Sequence, residues 1–371
     1  MKKKKTICLI LGTRPEAIKM APLILTLKND DLFNVFVLAT GQHTDMLLSP
    51  LEFFGIIPDF NLEIMREKQS LDYVTSAVLT GVGAILDKIL PDIVLVHGDT
   101  TTTFSSTLAA FYRKIPVGHV EAGLRSNNIF QSFPEEMNRI MTDKISTFLF
   151  APTSGALKNL YDEGFPQEKV WLTGNTIVDA LKLASIKTII PKNQNLQNIP
   201  PDVPMVLVTA HRRESWGDGL YRICTAILEI YKQKNEAWFL IPMHKNPVVR
   251  KVFREKLSSR KRIVLCEPLN YPDFIWAMKR SSFIISDSGG IQEEATVLQK
   301  NVLVLREETE RPEAIQAGTA ILVGTDTNAI VSESLNLFSV INKNQQQMQR
   351  RENPFGDGNA SERIKEVLYS F

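Results

Sequence analysis

Asp99 and Glu121 each stand just beyond a short apolar run, Ile93–Val96 and Pro116–Val120, and Glu135 opens a helical segment directly after Phe133-Pro134. Carboxylates at the ends of buried strands can serve as general acids and bases, because an apolar neighbourhood raises their pKa values. His211, following the run Met205–Ala210, adds a further acid/base group or phosphate contact, and Arg212 and Arg213 concentrate positive charge beside it. A second set of residues suits an anion. Ser288-Gly289-Gly290 lies between the run Phe283–Ile285 and a helical segment, where free N–H groups and the helix dipole would seat a diphosphate. Glu294, one helical turn further on, would face a ribose diol rather than a phosphate, which it would repel. Gly12-Thr13-Arg14-Pro15-Glu16, followed by Lys19, is another strand-to-helix turn, with the Arg14 guanidinium placed to pair with phosphate.

Each of these groups also has a structural reading. Pro15 at the first helical position explains its turn without a ligand. Asp99 can cap the threonine-rich helix that follows it, and Glu135 can pair with Arg139 one turn on. Acids are favoured in the first turn after Gly290 for electrostatic reasons alone. Three carboxylates converging on one sheet edge favour the catalytic reading. His97, His119, His211 and His244 lack zinc-ligand spacing, and the first strand is not followed by a dinucleotide-binding glycine fingerprint. The expectation is therefore no metal and no cofactor.

These residues must be positioned by an α/β scaffold. Continuous apolar runs that stop at polar or glycine-containing clusters are the pattern of parallel strands buried on both faces, with ligands gathered beyond their carboxyl ends. Strands are expected at Thr6–Leu11, Val35–Ala39, Ile93–Val96, Pro116–Val120, Phe148–Ala151 and Val170–Leu172, interleaved with helices. The helices are Ala17–Lys28, Ser70–Leu90, Thr102–Arg113, Glu135–Ile145 and Ser154–Glu163. After a proline-rich stretch from Pro191 to Pro204 the alternation restarts, with strands at Met205–Ala210, Trp238–Ile241, Ile263–Leu265, Phe283–Ile285, Val302–Leu305 and Ala320–Val323. The expected division is 1–174 and 175–355, with a final helix, Ala360–Leu368, in the tail 356–371; the helix Ile177–Ala184 could belong to either domain. Two doubly wound domains facing each other would form a cleft that holds the site.

A length of 371 residues suits two domains. Lys and Arg number 43 against 41 Asp and Glu, a net charge of +2, which argues against nucleic acid or an acidic membrane surface as partner. Lys2–Lys5 reads as a solvated tail, because the apolar stretch behind it is too short for a signal peptide. No run is long enough to span a membrane. Cys8, Cys224 and Cys266 are odd in number and scattered, which fits buried thiols in a reducing, cytoplasmic setting. Gln345–Gln347 reads as part of a surface helix.

Taken together, several segments resemble the non-hydrolysing UDP-N-acetylglucosamine 2-epimerases. They are Gly12–Lys19, Val96–Thr103, His119–Arg125, Pro134–Glu136, Ala210–Glu214, Ser286–Ala295, Thr309–Glu313 and Asn353–Gly358, in order along nearly the whole chain. The resemblance implies the GT-B fold: two Rossmann-like domains, the final helix crossing back to the first, and the site in the cleft between them. It also implies a homodimer and reversible interconversion of UDP-GlcNAc and UDP-ManNAc for bacterial surface polysaccharide synthesis. It marks Asp99, Glu121, Glu135 and His211 as catalytic. It carries over Arg14, Lys19, Ser288, Gly289, Gly290, Glu294 and Arg311 to the nucleotide, with Phe274 beside the uracil. Leu269 stands where some members have Gln, and its main chain can still meet the base. Bacterial members hold a second, activating UDP-GlcNAc; Gln42, Arg212 and His244 match that site, whereas Asp45 and Lys68 replace the usual Gln and Arg. Further departures are Thr296–Asn301 after the Ser-Gly-Gly helix and Phe130-Gln131-Ser132 before Phe133.

Overall fold

The computed structural model describes residues 4–41, 44–66, 69–130, 132–187, 190–212, 215–309, 311–343 and 353–371. Two parallel sheets carry the chain. Strands β1 (Lys5–Leu11), β2 (Phe33–Ala39), β3 (Phe60–Asn61), β4 (Ile93–His97), β5 (Val117–Val120), β6 (Phe148–Ala151) and β7 (Val170–Leu172) form the first, in the order β3-β2-β1-β4-β5-β6-β7. Strands β8 (Met205–Thr209), β9 (Trp238–Pro242), β10 (Ile263–Cys266), β11 (Phe283–Ser286), β12 (Val302–Val304) and β13 (Ala320–Leu322) form the second, in the order β10-β9-β8-β11-β12-β13. Both orders turn outward from the first strand of their sheet, which is the doubly wound arrangement. The central strands are buried on both faces, as their unbroken apolar runs require: all five residues of β4 and of β8 are buried.

The chain divides into two compact units, Met1–Ala184 with Phe355–Phe371, and Ser185–Pro354. The helix Thr176–Ile186 thus falls almost wholly in the first unit, and the boundary lies ten residues beyond 174/175. Hydrogen bonds explain why. The N–H of Asn175 donates to the carbonyl of Phe355 at 2.8 Å, and the Asp179 carboxylate accepts the N–H groups of Ala360 and Ser361 at 3.3 and 2.9 Å. Asp179 therefore caps the final helix, Ala360–Ser370, while burial pushes its own pKa up. That helix also stacks Tyr369 on Phe33 of β2, with ring centroids 5.4 Å apart.

Three elements depart from the sequence reading. The two-residue β3 is too short for a periodic signal. Helix Thr44–Phe54 contains Pro50, which masks it as a loop. Within the proline-rich stretch, Asn193 caps one helical turn, Gln194–Gln197, through its side chain. Among the described residues no helix is long and apolar enough to cross a membrane.

Candidate active site

In the first unit, Asp99 and Glu121 follow the adjacent strands β4 and β5, which pair in register at Val96↔His119 and His97↔Val120. Neither carboxylate sits in the apolar surroundings that the sequence suggested; each meets a cation. Glu121 is buried, and its Oε2 accepts hydrogen bonds from the Lys19 ammonium and, at 3.1 Å, from Asn175 Nδ2. The ring of His97 brings Nε2 to 3.7 Å from the same oxygen. The Glu121 backbone has φ 71°, a left-handed conformation that a non-glycine residue adopts only when its surroundings hold it there.

Asp99 Oδ2 accepts from Arg139 Nη2 at 2.6 Å, and its carbonyl accepts from Asn138 Nδ2 at 3.0 Å. Arg139, expected to pair with Glu135, instead bridges Asp99 and Glu136, whose Oε2 lies 3.0 Å from Nη1. Glu136 also accepts the N–H groups of Ser126 and Asn127, at 3.0 and 2.9 Å. Glu135 is half-buried at the start of helix Glu135–Ile145. Nor does Asp99 cap the threonine-rich helix; Thr100 does, its side chain accepting the N–H of Thr103 at 3.1 Å.

Two further carboxylates fix these loops. Glu16 Oε2 accepts the N–H groups of Gly12 and Thr13 at 2.8 and 2.6 Å, and its Oε1 accepts the hydroxyls of Thr100 and Thr103 at 2.6 and 2.9 Å. One buried side chain thus ties the Arg14 turn to the Asp99 turn. Gly12 is required by packing there: a Cβ would lie 2.2 Å from Thr102 Oγ1. Beneath β5, His119 donates from Nε2 to the carbonyl of Gly98 at 2.7 Å, and its Nδ1 faces Asp143 Oδ1 at 2.6 Å. Asp143 in turn binds Arg125 Nη2 at 2.8 Å.

In the second unit, β11 leads through Asp287 and Ser288 into helix Gly289–Val297. Among the described residues a Cβ added at Gly289 or Gly290 would meet nothing within 4 Å, so this helix N-terminus is open above its glycines. Asp287 is fully buried behind it. Burial favours the protonated form, yet the ring of His211 and the N–H groups of Arg212 and His211 hold its pKa below the usual carboxylate value. The distances are 3.0 Å from Oδ1 to His211 Nδ1, and 2.7 and 2.8 Å from Oδ2 to the His211 and Arg212 N–H groups. With Nδ1 turned to a carboxylate, Nε2 is the nitrogen that His211 presents outward. The His211 ring stacks on His244 at 5.4 Å. Glu294 is buried on the helix, and Arg311 pairs with its neighbour Glu293. Gln292 Oε1 accepts the Thr309 hydroxyl at 2.7 Å, which fastens the segment before Arg311 to the same helix. Leu269 is buried, and Phe274 is half-buried on helix Tyr271–Arg280.

The structure thus brings Asp99, Glu121, Lys19 and Arg14 onto neighbouring turns of one unit. It gathers His211, Arg212, Ser288, Gly289 and Gly290 on neighbouring turns of the other. Asn175, Arg139, Glu16 and Asp287 were missed as supporting groups. Each acts on a residue distant in sequence or through a pairing that spacing alone does not choose; Asp287 and His211 are 76 residues apart. Gln42, Lys68, Gln131, Arg213, Glu214, Glu310 and Gln345–Gln347 lie outside the described residues, as do Lys2, Lys3 and the side chain of Asp45.

Comparison with known proteins adds to this geometry. The family described as UDP-N-acetylglucosamine 2-epimerase matches residues 25–369. The UDP-N-acetylglucosamine 2-epimerase of Escherichia coli K12 is 46% identical over 365 residues, 97% of each chain. That of Neisseria meningitidis serogroup A is 47% identical over 364 residues, 97% of this chain and 98% of the other. A crystal structure of UDP-GlcNAc 2-epimerase from Neisseria meningitidis bound to UDP-GlcNAc matches with a TM-score of 0.91, 46% identity, and coverage of 99% and 100%. A glycotransferase of kitacinnamycin, 10% identical with a TM-score of 0.64, shares the fold alone. The fold is α/β, with two Rossmann-like domains of the GT-B kind.

Proposed function

The chain belongs to the UDP-N-acetylglucosamine 2-epimerase family, and from that premise we propose that it interconverts UDP-GlcNAc and UDP-ManNAc without hydrolysis. The observation that carries this reading is the pair of cation-held carboxylates, Asp99 and Glu121, at the ends of β4 and β5. The proton on C2 of the sugar has no adjacent carbonyl to acidify it, so its removal as a free carbanion is unfavourable. Elimination avoids the carbanion. A carboxylate takes the C2 proton, the C1–O bond breaks, its electron pair leaves on the diphosphate of UDP, and a C1=C2 double bond forms. Delivery of a proton to the opposite face of C2 and return of UDP to C1 complete the inversion. Asp99, Glu121 and Glu135 supply the proton transfers in this reading.

The diphosphate, which gathers charge as it leaves, is assigned to the open N–H groups at Ser288, Gly289 and Gly290, with Arg14, Lys19 and His211 in support. Asp287 fixes the His211 ring for that task. Glu294 is assigned to ribose, Arg311 to the nucleotide, and Leu269 and Phe274 to the base. The reading requires that both units serve one nucleotide sugar. Arg212 and His244, with Gln42 and Lys68, are assigned to a second nucleotide sugar that regulates the first.

The proposed setting is a cytoplasmic homodimer feeding bacterial surface polysaccharide synthesis. Three buried free thiols support a reducing compartment; burial pushes Cys8, Cys224 and Cys266 each up to about 12. Sedimentation of the purified protein tests the dimer.

Incubating the protein with UDP-GlcNAc in D2O tests the reaction. The expected products are UDP-ManNAc and UDP-GlcNAc, both carrying deuterium at C2. Free ManNAc with UDP would instead indicate a hydrolysing epimerase. Absence of both deuterium and UDP-ManNAc would favour a UDP-sugar glycosyltransferase, which shares this donor-binding architecture.

A further inference from the structure

An inversion at C2 that uses different groups on the two faces leaves one group with an extra proton and the other with one too few. Before an identical turnover can begin, both must be restored. The two carboxylates differ in how this can happen. The Asp99 side chain is 29% exposed and can exchange with water, whereas that of Glu121 is 8% exposed. Around Glu121 Oε2 stand the Lys19 ammonium, the Asn175 amide and the His97 ring. An ammonium and an amide NH2 have no lone pair available for a proton, but a neutral imidazole nitrogen has. His97 Nε2 is buried, has no hydrogen-bond partner among the described residues and points toward Glu121 at 3.7 Å. A buried polar atom left unpaired lowers stability and calls for a use. The His97 backbone is firmly placed, because it ends β4 in register with Val120 of β5 and its carbonyl oxygen lies 2.6 Å from Thr103 Oγ1.

We propose that His97 is the proton store for Glu121. A proton taken up by the Glu121 carboxylate passes to His97 Nε2, breaking one O–H bond and forming one N–H bond. This leaves a carboxylate beside an imidazolium. In the reverse direction of the reaction the proton returns by the same route; before a second forward turnover it passes back through Glu121 to water that enters as the nucleotide sugar leaves, while Asp99 takes one from solvent. A small rotation of either side chain closes the gap to about 3 Å, hydrogen-bond distance. Glu121 faces the ring and Lys19 pairs with the same carboxylate oxygen, so the ion pair lost when Glu121 takes up the proton is restored once the proton has passed to Nε2. His97 is thus a positioning and relay residue that acts through Glu121.

This inference rests on the epimerase reading, so wild-type protein is first assayed for deuterium incorporation at C2 in D2O. No incorporation would overturn both. With an active wild type, His97→Gln and His97→Ala are compared for kcat, KM, UDP affinity and thermal unfolding. The expected result is a kcat lowered about a hundredfold in both, the scale of a lost proton-transfer group, with KM and UDP affinity within about threefold of wild type. Added imidazole, which fits the space left by the ring, should restore much of the activity of His97→Ala and none of that of His97→Gln. Unchanged kcat in His97→Gln would overturn the proposal. So would a loss in His97→Ala that imidazole does not relieve, since that would make the ring a packing element.

Discussion

In the first unit, the turns after β4 and β5 are bound together by charge: Lys19 and Asn175 on Glu121, Arg139 on Asp99, and Glu16 across the Arg14 and Asp99 turns. In the second, the turn after β11 ends in two glycines with open space above them, and its carboxylates, Asp287 and Glu293, are anchored behind the helix start. The contrast follows from the chemistry assigned to each. In that assignment a proton must be moved at one defined atom, and each of the two carboxylates assigned to move it is fixed by a cation. A diphosphate is held by backbone N–H groups that the helix already orients, so what the sequence must supply there is room.

The sharpest way to break this comparison is to neutralise the acids. Glu121→Gln keeps the shape of the side chain and should lower kcat about a thousandfold, with Asp99→Asn losing at least about a hundredfold. UDP affinity, measured by calorimetry, should stay within about threefold in both variants. Comparable loss of UDP binding would mean that these carboxylates shape the binding pocket.

The glycines test the other half. Gly290→Ala meets no atom of the described residues within 4 Å, so the fold should keep its stability, while UDP affinity should fall about tenfold or more as the methyl enters the space assigned to the diphosphate. Gly12→Ala should behave in the opposite way. Its Cβ would lie 2.2 Å from Thr102 Oγ1 and 2.8 Å from Thr40 Oγ1, so stability should drop by about 1–3 kcal/mol. Thermal unfolding and UDP titration of the two variants side by side would separate a seat from a packed contact.

The smallest expected effect lies with Asp287. Its pKa is depressed in the folded protein, so it contributes stability that is present above the ordinary carboxylate pKa and lost as pH falls through the depressed value. Asp287→Asn removes that contribution. Urea unfolding should show wild type more stable than the variant near neutral pH, with the difference shrinking on acidification. A difference independent of pH would mean that hydrogen bonding alone, and not the charge, holds the loop of His211.

What was legible in the sequence follows the range of the forces involved. β4 and β8 could be read because strands buried on both faces must be apolar throughout. The strand-to-helix turn to which the anion is assigned could be read because strand, Ser288-Gly289-Gly290 and helix are contiguous. The partners of the acids could not. Spacing offers Arg139 both Glu135 and Glu136, and only the tertiary fold brings it to Asp99, 40 residues away. The contact of Asn175 with Glu121 exists because the chain passes through two further strands, β6 and β7, and the helices before each of them before returning. The strands before both acids suggest an apolar setting, but other turns bring in Lys19 and Arg139.

Breakage of the bond between C1 and the diphosphate oxygen is the step on which the assignments converge. UDP-GlcNAc labelled with 18O in that bridging oxygen, followed by 31P NMR during turnover, tests it directly. Elimination predicts that the label moves into the non-bridging positions of the β-phosphate, at a rate set by how freely that group rotates before UDP returns. Label that stays in the bridge while C2 inverts would show that C1–O never breaks, and would contradict the assignment of Gly289 and Gly290 to a leaving diphosphate.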